Sequence, residues 1–315
     1  MVELSVHLIT YNNEKHIKET LDSILNQKVD FNYEIVVGDD CSSDNTLNII
    51  YAYKEQYPDL FNVLKNNTQL GILKNFKATL DRCSGKYIFD IAGDDLLKGT
   101  NALQTMVDTL KTDDGLGFVD SGFDLLFEGK NKTEPFNNKH LINVPKNDYK
   151  DNLLLGKITP IGICFNKSHL YKYVDFETYI NMGITIEDYP ILVDLAMSTN
   201  FEIIEKSLHV YRVHESSISH QKNFEKQTFL LNQMKMLFEY FEKKYNYHEA
   251  LSSIFYNNHY KQLLYYAAYF EKKETGKLAF NNVETKNLKD YIYYLASQNN
   301  FFKKQALLLK RKFLK

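Results

Sequence analysis

Three of the four pairs of adjacent acids before residue 190 stand where chemistry can be done: Asp39-Asp40, Asp94-Asp95 and Glu187-Asp188. The first two directly follow short runs rich in β-branched and aromatic residues, 34–37 and 87–91, which read as strands. Carboxylates at the carboxyl end of a parallel strand point into the crevice where open α/β sheets bind ligands. There they can hold a divalent cation against a phosphorylated substrate. Gly93 lets the backbone turn sharply just before Asp94. On this segment alone an Asp-Asp helix cap is an equal reading, because acidic side chains accept from free N–H groups at helix starts. The third pair precedes Tyr189-Pro190 and a run with Ile191, Leu192, Leu195 and Ala196 at helical spacing. Proline is tolerated in a first turn and acids there complement the helix dipole, so a purely structural reading of this pair is also complete.

The surrounding elements must bring these acids together. Residues 2–9 form an almost continuous apolar run, as in a strand covered on both faces. Asn12 or Asn13 is placed to cap a helix whose Ile17, Leu21, Ile24 and Leu25 share one face, and Ser43 to cap another with Leu47, Ile50 and Tyr51 inward. A strand at 61–64 and a helix with Leu73, Phe76 and Leu80 inward lead into Tyr87. Strand and helix alternate three times, which predicts right-handed βαβ units and a mainly parallel sheet. Leu103, Met106, Val107 and Leu110 signal a further helix, and 116–127 one or two strands. Polar residues 128–150 read as an irregular excursion, 159–165 as a strand, and 201–204 with 208–213 as a hairpin or strand pair. Beyond residue 222 only helical spacing remains, carried by Leu230, Met234, Leu237 and Phe241, then by Tyr260, Leu263, Leu264 and Ala267. The expected division is 1–221 and 222–315.

Leu4-Ser5-Val6-His7-Leu8-Ile9-Thr10-Tyr11-Asn12-Asn13-Glu14, the run from Glu34 through Asp39-Asp40 to Thr46, and Tyr87 to Asp95 together resemble the inverting glycosyltransferases of family 2, which have the GT-A fold. Gly71-Ile72-Leu73-Lys74-Asn75, Thr185-Ile186-Glu187-Asp188-Tyr189 and Tyr211-Arg212-Val213-His214-Glu215-Ser216 extend the resemblance in the family's order over roughly the first 220 residues. It implies an α/β GT-A domain with a Rossmann-like, mainly parallel sheet, followed here by a helical C-terminal region. The activity implied is transfer of a sugar from a nucleotide-diphosphate donor, UDP-linked, to a hydroxyl of a glycan or lipid-linked glycan in cell-surface polysaccharide synthesis.

Residue by residue, the resemblance places Thr10 and Tyr11 beside the base, Asp39 at the uracil, and Lys74 or Asn75 nearby. The family's metal motif is usually Asp-x-Asp; here Ala92-Gly93-Asp94 aligns with it, followed by Asp95. The first carboxylate is missing, so the metal role passes to Asp94, with Asp95 secondary. The implied ion is Mn²⁺ or Mg²⁺, relying on diphosphate oxygens and water. Asp188 takes the family's general base position, with Glu187 orienting it or touching acceptor hydroxyls. His214 is implied at the metal or diphosphate, and Arg212 at the leaving-group charge.

The chain has 315 residues and a formal charge of -2, which gives no whole-protein attraction to nucleic acid. No Gly-rich phosphate loop follows the first strand, which weighs against a dinucleotide-binding domain and a nucleotidyltransferase. Cys41, Cys83 and Cys164 lack metal or disulfide spacing and read as reduced thiols of a cytoplasmic protein. No apolar run is long enough to cross a bilayer, so membrane association is expected to be peripheral. Residues 301–315 mix six basic residues with apolar ones and no acid. That tail suits an anionic lipid surface, and equally a solvated terminus or a homodimer contact. Ala92 keeps a second class of function open, a catalytically inactive GT-A module that binds sugar nucleotide or glycan as a scaffold.

Overall fold

A computed structural model of the protein describes residues 2–128, 132–135, 146–213 and 223–299. The chain forms two compact units, Met1–His214 and Glu215–Lys315. The first is an α/β unit, as expected. Its elements run β1 (Leu4–Thr10), α1 (Ile17–Leu25), β2 (Tyr33–Asp39), α2 (Thr46–Gln56), β3 (Phe61–Lys65), α3 (Ile72–Leu80), β4 (Tyr87–Ala92), β5 (Leu96–Leu97) and α4 (Ala102–Leu110). They continue with β6 (Leu116–Phe127), β7 (Lys132–Pro135), α5 (Lys146–Leu154), β8 (Cys164–Asn166), α6 (Lys167–Tyr173), α7 (Phe176–Asn181), α8 (Asp188–Ser198) and β9 (Asn200–Val213).

The nine strands make one sheet in the order β3-β2-β1-β4-β8-β6-β9-β5, with β7 added to β6. The β3-β2-β1-β4 half is wholly parallel. β8 is antiparallel to both neighbours, while β6 and β9 again run parallel. Register levels the strand ends that matter: Thr10 pairs with Asp39, and Ile9 with Ala92. Helices cover both faces, so Leu4, Val6 and Leu8 are buried together with Ser5 and His7 from the opposite face of β1. Ile17, Leu21 and Ile24 of α1 and Leu103, Met106, Val107 and Leu110 of α4 fill this core at the spacing the sequence predicts.

Several local expectations are corrected. Tyr51 lies outward and Ile50 is buried, with Ile49 and Tyr53 packed against the core, so the inner stripe of α2 is rotated from the predicted one. Asn12, Asn13 and Ser43 cap no helix; Asp44 Oδ1 accepts from the Thr46 amide at 3.0 Å instead. Residues 159–163 are not strand, and only Cys164–Asn166 pairs with β4 and β6. The predicted hairpin at 201–213 is one 14-residue strand parallel to β6. Register shifts around Ser121 to Phe123 accommodate its polar middle, and Ser207 Oγ donates to Asp124 Oδ1 at 2.9 Å. The excursion at 128–150 contains β7 and the start of α5.

Tyrosine–aspartate bonds secure the helices of this half. The Tyr179 hydroxyl donates to Asp194, and the Tyr149 hydroxyl to Asp120 Oδ2 at 2.7 Å. Burial pushes the Asp120 carboxyl up to about 7, against the opposing effect of the Tyr149 bond. Its folded-state pKa is therefore raised, and the native state binds a proton that the unfolded chain has already released above about pH 4. Stability is accordingly expected to fall as pH rises from about 4 to about 7. Asp120→Asn, which keeps the tyrosine partner, should flatten that part of a chemical-denaturation pH profile; an unchanged profile would remove Asp120 as its source.

The second unit holds α9 (Phe224–Tyr245), α10 (Glu249–Tyr269), α11 (Lys273–Asn282) and α12 (Leu288–Gln298). Asn223 caps α9 by accepting from the Lys226 amide, and Asn246 ends it in the left-handed region at φ 51°. Asn287 and Asp290 form a reciprocal capping box on α12. Phe238 stacks on Phe255 with centroids 3.7 Å apart, and Leu263, Leu264 and Ala279 form a small core. No helix among the described residues is long and apolar enough to cross a membrane. The basic tail 301–315 lies outside the described residues.

Candidate active site

The carboxyl ends of β1, β2 and β4 form one edge, and its loops are tied together by short polar bonds. The Asn12 amide donates to Ser42 Oγ at 2.9 Å, the Ser43 amide to Asn12 Oδ1 at 2.9 Å, and the Asn13 amide to Thr46 Oγ1 at 2.7 Å. These bonds support Asn12 at φ 53° and Cys41 at φ 66°, backbone that side chains other than glycine rarely adopt. Tyr11 is left 42% exposed at the rim, its ring available for stacking. Thr10 is buried and accepts from Asn13 Nδ2 at 3.2 Å. A Cβ on Gly93 would come within 2.5 Å of Thr10 Oγ1, so the loop before Asp94 reaches the end of β1 only because residue 93 is glycine.

The two acids after β2 have separate roles. Asp40 braces the approach to α3, accepting from the Leu70 amide at 2.7 Å, the Gly71 amide at 2.9 Å and Asn66 Nδ2 at 3.0 Å. Asp39 is fully buried, and its Oδ1 accepts from the Ser42 amide at 3.0 Å. Its Oδ2 has no partner among the described residues. A buried carboxylate oxygen without a donor is costly, which makes Asp39 ready for one from a ligand. Asn75 is buried and committed to structure, donating to the Gly38 carbonyl at 3.0 Å and accepting from Asn66 at 2.8 Å. Lys74 is exposed on the same helix.

Beyond Gly93 the chain turns through half-buried Asp94 and buried Asp95 into β5, which pairs with β9. Arg212 of β9 fastens this turn. Its amide donates to Asp95 Oδ1 at 3.0 Å, its Nε to the Asp94 carbonyl at 2.9 Å, and its Nη2 to Glu19 Oε2 at 2.5 Å. Its guanidinium thus holds the loop from behind. Burial, then the Asp94 charge, pushes the Asp95 carboxyl well above the usual range, so Asp95 serves as an anchor within the turn, with Asp94 half-buried beside it. His214 lies outside the described residues.

Glu187 and Asp188 stand half-buried at the start of α8. Asp188 Oδ1 accepts from the Tyr189 amide at 2.6 Å, and the Tyr189 hydroxyl donates to the Leu154 carbonyl at 2.8 Å, fixing the helix start. Burial raises both carboxyls, and the charges of Asp188 and Asp90 raise Glu187 further. Of the two neighbours, Glu187 feels the other's charge and is the harder to ionise. The 159–163 segment passes close to His209. Gly162, at φ 66°, lies so close that a Cβ would meet the imidazole at 2.6 Å. Burial pushes His209 down to about 3, so it is a neutral packing ring against Phe89.

Asp90 itself escaped the sequence reading. It and His7 are polar positions inside otherwise apolar strands, which was the available signal. The pair is cross-strand in register, with His7 Nδ1 2.7 Å from Asp90 Oδ1. No three His, Cys, Asp or Glu side chains among the described residues converge on an ion site. A metal at Asp94 would therefore draw most of its ligands from elsewhere, and a hard carboxylate oxygen there suits an ion carried with phosphate.

Residues 5–174 match the sequence profile of Glycosyl transferase family 2. The chain belongs to that family. A Mycobacterium tuberculosis protein is 38% identical over 92 residues, covering 29% of this chain and 27% of that one. The poly(ribitol-phosphate) beta-N-acetylglucosaminyltransferase TarP of Staphylococcus aureus is 29% identical over 223 residues, 68% of this chain and 63% of that protein. The chain thus spans less than two thirds of the length of both curated relatives. Among solved structures, S. aureus TarS 1-349 in complex with UDP-GlcNAc superposes with a TM-score of 0.60 at 16% identity, over 99% of this chain and 92% of that one. At that identity the likeness concerns the fold, and it agrees with the family 2 assignment.

Proposed function

We propose that the protein is an inverting glycosyltransferase that moves a sugar from a UDP-linked donor to a hydroxyl of a glycan or lipid-linked glycan, in cell-surface polysaccharide synthesis. The observation that carries this reading is the buried, unpartnered Oδ2 of Asp39 at the strand edge, beside exposed Tyr11. The N3–H of uracil is a donor matched to that oxygen, whereas the Watson–Crick edge of a cytosine presents an acceptor at N3. TarP and TarS, similar to this chain, bear names or bound ligands of the N-acetylglucosamine type, which supports a UDP-sugar.

In this reading the diphosphate lies along the Gly93-Asp94 turn and the acceptor hydroxyl faces Asp188. Asp94 would hold Mn²⁺ or Mg²⁺ together with the donor, an ion that when bound neutralises charge on the departing diphosphate. Asp188 removes the proton from the acceptor hydroxyl, and Glu187 orients it or touches the acceptor hydroxyls. Arg212 keeps the Asp94 carbonyl and Asp95 in place, and Lys74 lies near the nucleotide. The basic tail and a cytoplasmic membrane surface belong to this proposal as well, with a lipid-linked acceptor as the reason for the association. Ala92, where a second metal carboxylate would stand, favours one other reading, an inactive module that binds sugar nucleotide without turnover.

A nucleotide panel tests the proposal. With Mn²⁺ present, UDP is expected to raise the melting temperature more than GDP, ADP or CDP, because a ligand that binds the native state stabilises it with occupancy. Asp39→Ala should weaken UDP by about 10-fold or more, the loss of a hydrogen bond to a charged group. Equal shifts for all four nucleotides would overturn the uridine assignment, and UDP-sugar binding without any transfer or hydrolysis would favour the inactive module.

A further inference from the structure

His7 is fully buried at the middle of β1, with Nε2 3.0 Å from the Phe76 carbonyl oxygen and Nδ1 2.7 Å from Asp90 Oδ1. A carbonyl only accepts, so Nε2 carries a hydrogen. The proton between Nδ1 and Oδ1 makes the pair either imidazolium and carboxylate or imidazole and carboxylic acid. In both cases Asp90 Oδ2 is left as a bare acceptor. That oxygen has no hydrogen-bond partner among the described residues, and the Asp90 side chain is 23% exposed while His7 behind it is sealed. A fixed, outward acceptor in a strand interior is not needed for the fold, since an apolar pair would pack there without desolvating two polar groups.

The surroundings say what the oxygen faces. The charge of Asp90 bears on Asp95 after β4 and on both Glu187 and Asp188 at the start of α8, so all three lie near it. Ala92, on the same face of β4 two residues further on, is too small to cover it. A single displacement places the anomeric carbon between the leaving diphosphate and the base, so the transferred sugar lies between those two groups and over Asp90.

We propose that Asp90 is a donor-sugar-binding residue: its outward oxygen accepts a hydrogen bond from a hydroxyl of the sugar being transferred, and His7 fixes its orientation from behind. This rests on the glycosyltransferase reading above and adds a sugar-selecting contact to it. Such a contact acts on the hexose and not on the nucleotide, which separates it from a structural role.

The test is calorimetric titration of UDP, UDP-glucose, UDP-galactose and UDP-GlcNAc, with Mn²⁺, into wild type, Asp90→Asn and the double variant His7→Phe/Asp90→Leu. The double variant replaces a buried polar pair with apolar groups of similar volume, a change that cores accept, and it carries the test should Asp90→Asn not fold. UDP affinity is expected to stay within two-fold in a folded variant, while the UDP-sugar that wild type binds most tightly loses about 10-fold or more in the double variant. Sugar affinities that fall no further than that of UDP itself would overturn the inference and leave the glycosyltransferase reading standing. Failure of wild type to bind UDP or any of the three sugars would overturn that reading, and the inference with it.

Discussion

Replacing Asp188 with asparagine is expected to leave UDP-sugar affinity within a few-fold and to lower kcat at least ~100-fold. A sugar hydroxyl is a poor nucleophile near neutral pH, and a positioned carboxylate that takes its proton in the transition state contributes ~10²–10⁴-fold. In the proposed reading Asp94 is committed to the ion and Asp39 to the nucleotide base, while Asp95 is anchored to the Arg212 amide. Asp188 is left, on a helix start held by Tyr189. Its raised pKa makes it a stronger base, which favours proton removal, while activity must rise with pH as the Glu187–Asp188 pair gives up its proton. The asparagine variant should lose that acid limb along with the rate. The product anomer, assigned by NMR, should be opposite to the donor; retained configuration or a near-normal kcat in Asp188→Asn would remove Asp188 as base.

Asp94→Ala should abolish the enhancement of UDP binding by Mn²⁺ while the protein stays folded. The Asp94 group that Arg212 grips is the backbone carbonyl, which alanine retains, so that fastening survives the substitution. The side chain, by contrast, is the proposed metal ligand. With alanine at 92 there is no neighbouring Asp-x-Asp oxygen to take over, so the loss should be close to complete. Without nucleotide, wild type should bind the ion weakly, since the diphosphate supplies most of the ligands. Paired titrations with Mn²⁺ and with chelator read the effect directly; a variant whose UDP affinity still rises with metal would exclude Asp94 as the ligand.

The strand–helix alternation through Tyr87 was legible because each element buries a stripe that its own period records, as in α1 and α4. Asp39 and Asp94 were legible for a related reason: the polar break after an apolar strand marks the sheet's ligand edge. Long-range pairing was not. Nothing local indicates that residues 200–213 would run unbroken beside β6, because the polar stretch Glu205-Lys206-Ser207 reads as a turn until Asp124 supplies a partner for Ser207. Arg212 shows the same limit. Its motif position points to the leaving group, but Glu19 and the Asp94 carbonyl, both remote in sequence, occupy its guanidinium. His7 and Asp90 were each visible as oddities, yet only the parallel register of β1 and β4 makes them a pair.

The Arg212 fastening also bears on how the protein comes into being. It joins segments 117 to 193 residues apart, so the turn carrying Asp94 is set by contacts among the most remote in the unit. Contacts of such long range form late, after local helices and neighbouring strands. A chain emerging from the ribosome can complete the nucleotide edge from its first hundred residues, but the Asp94 turn stays unbraced until the ninth strand follows. The growing chain can therefore fasten its Asp94 turn only once the segment carrying Arg212 has emerged.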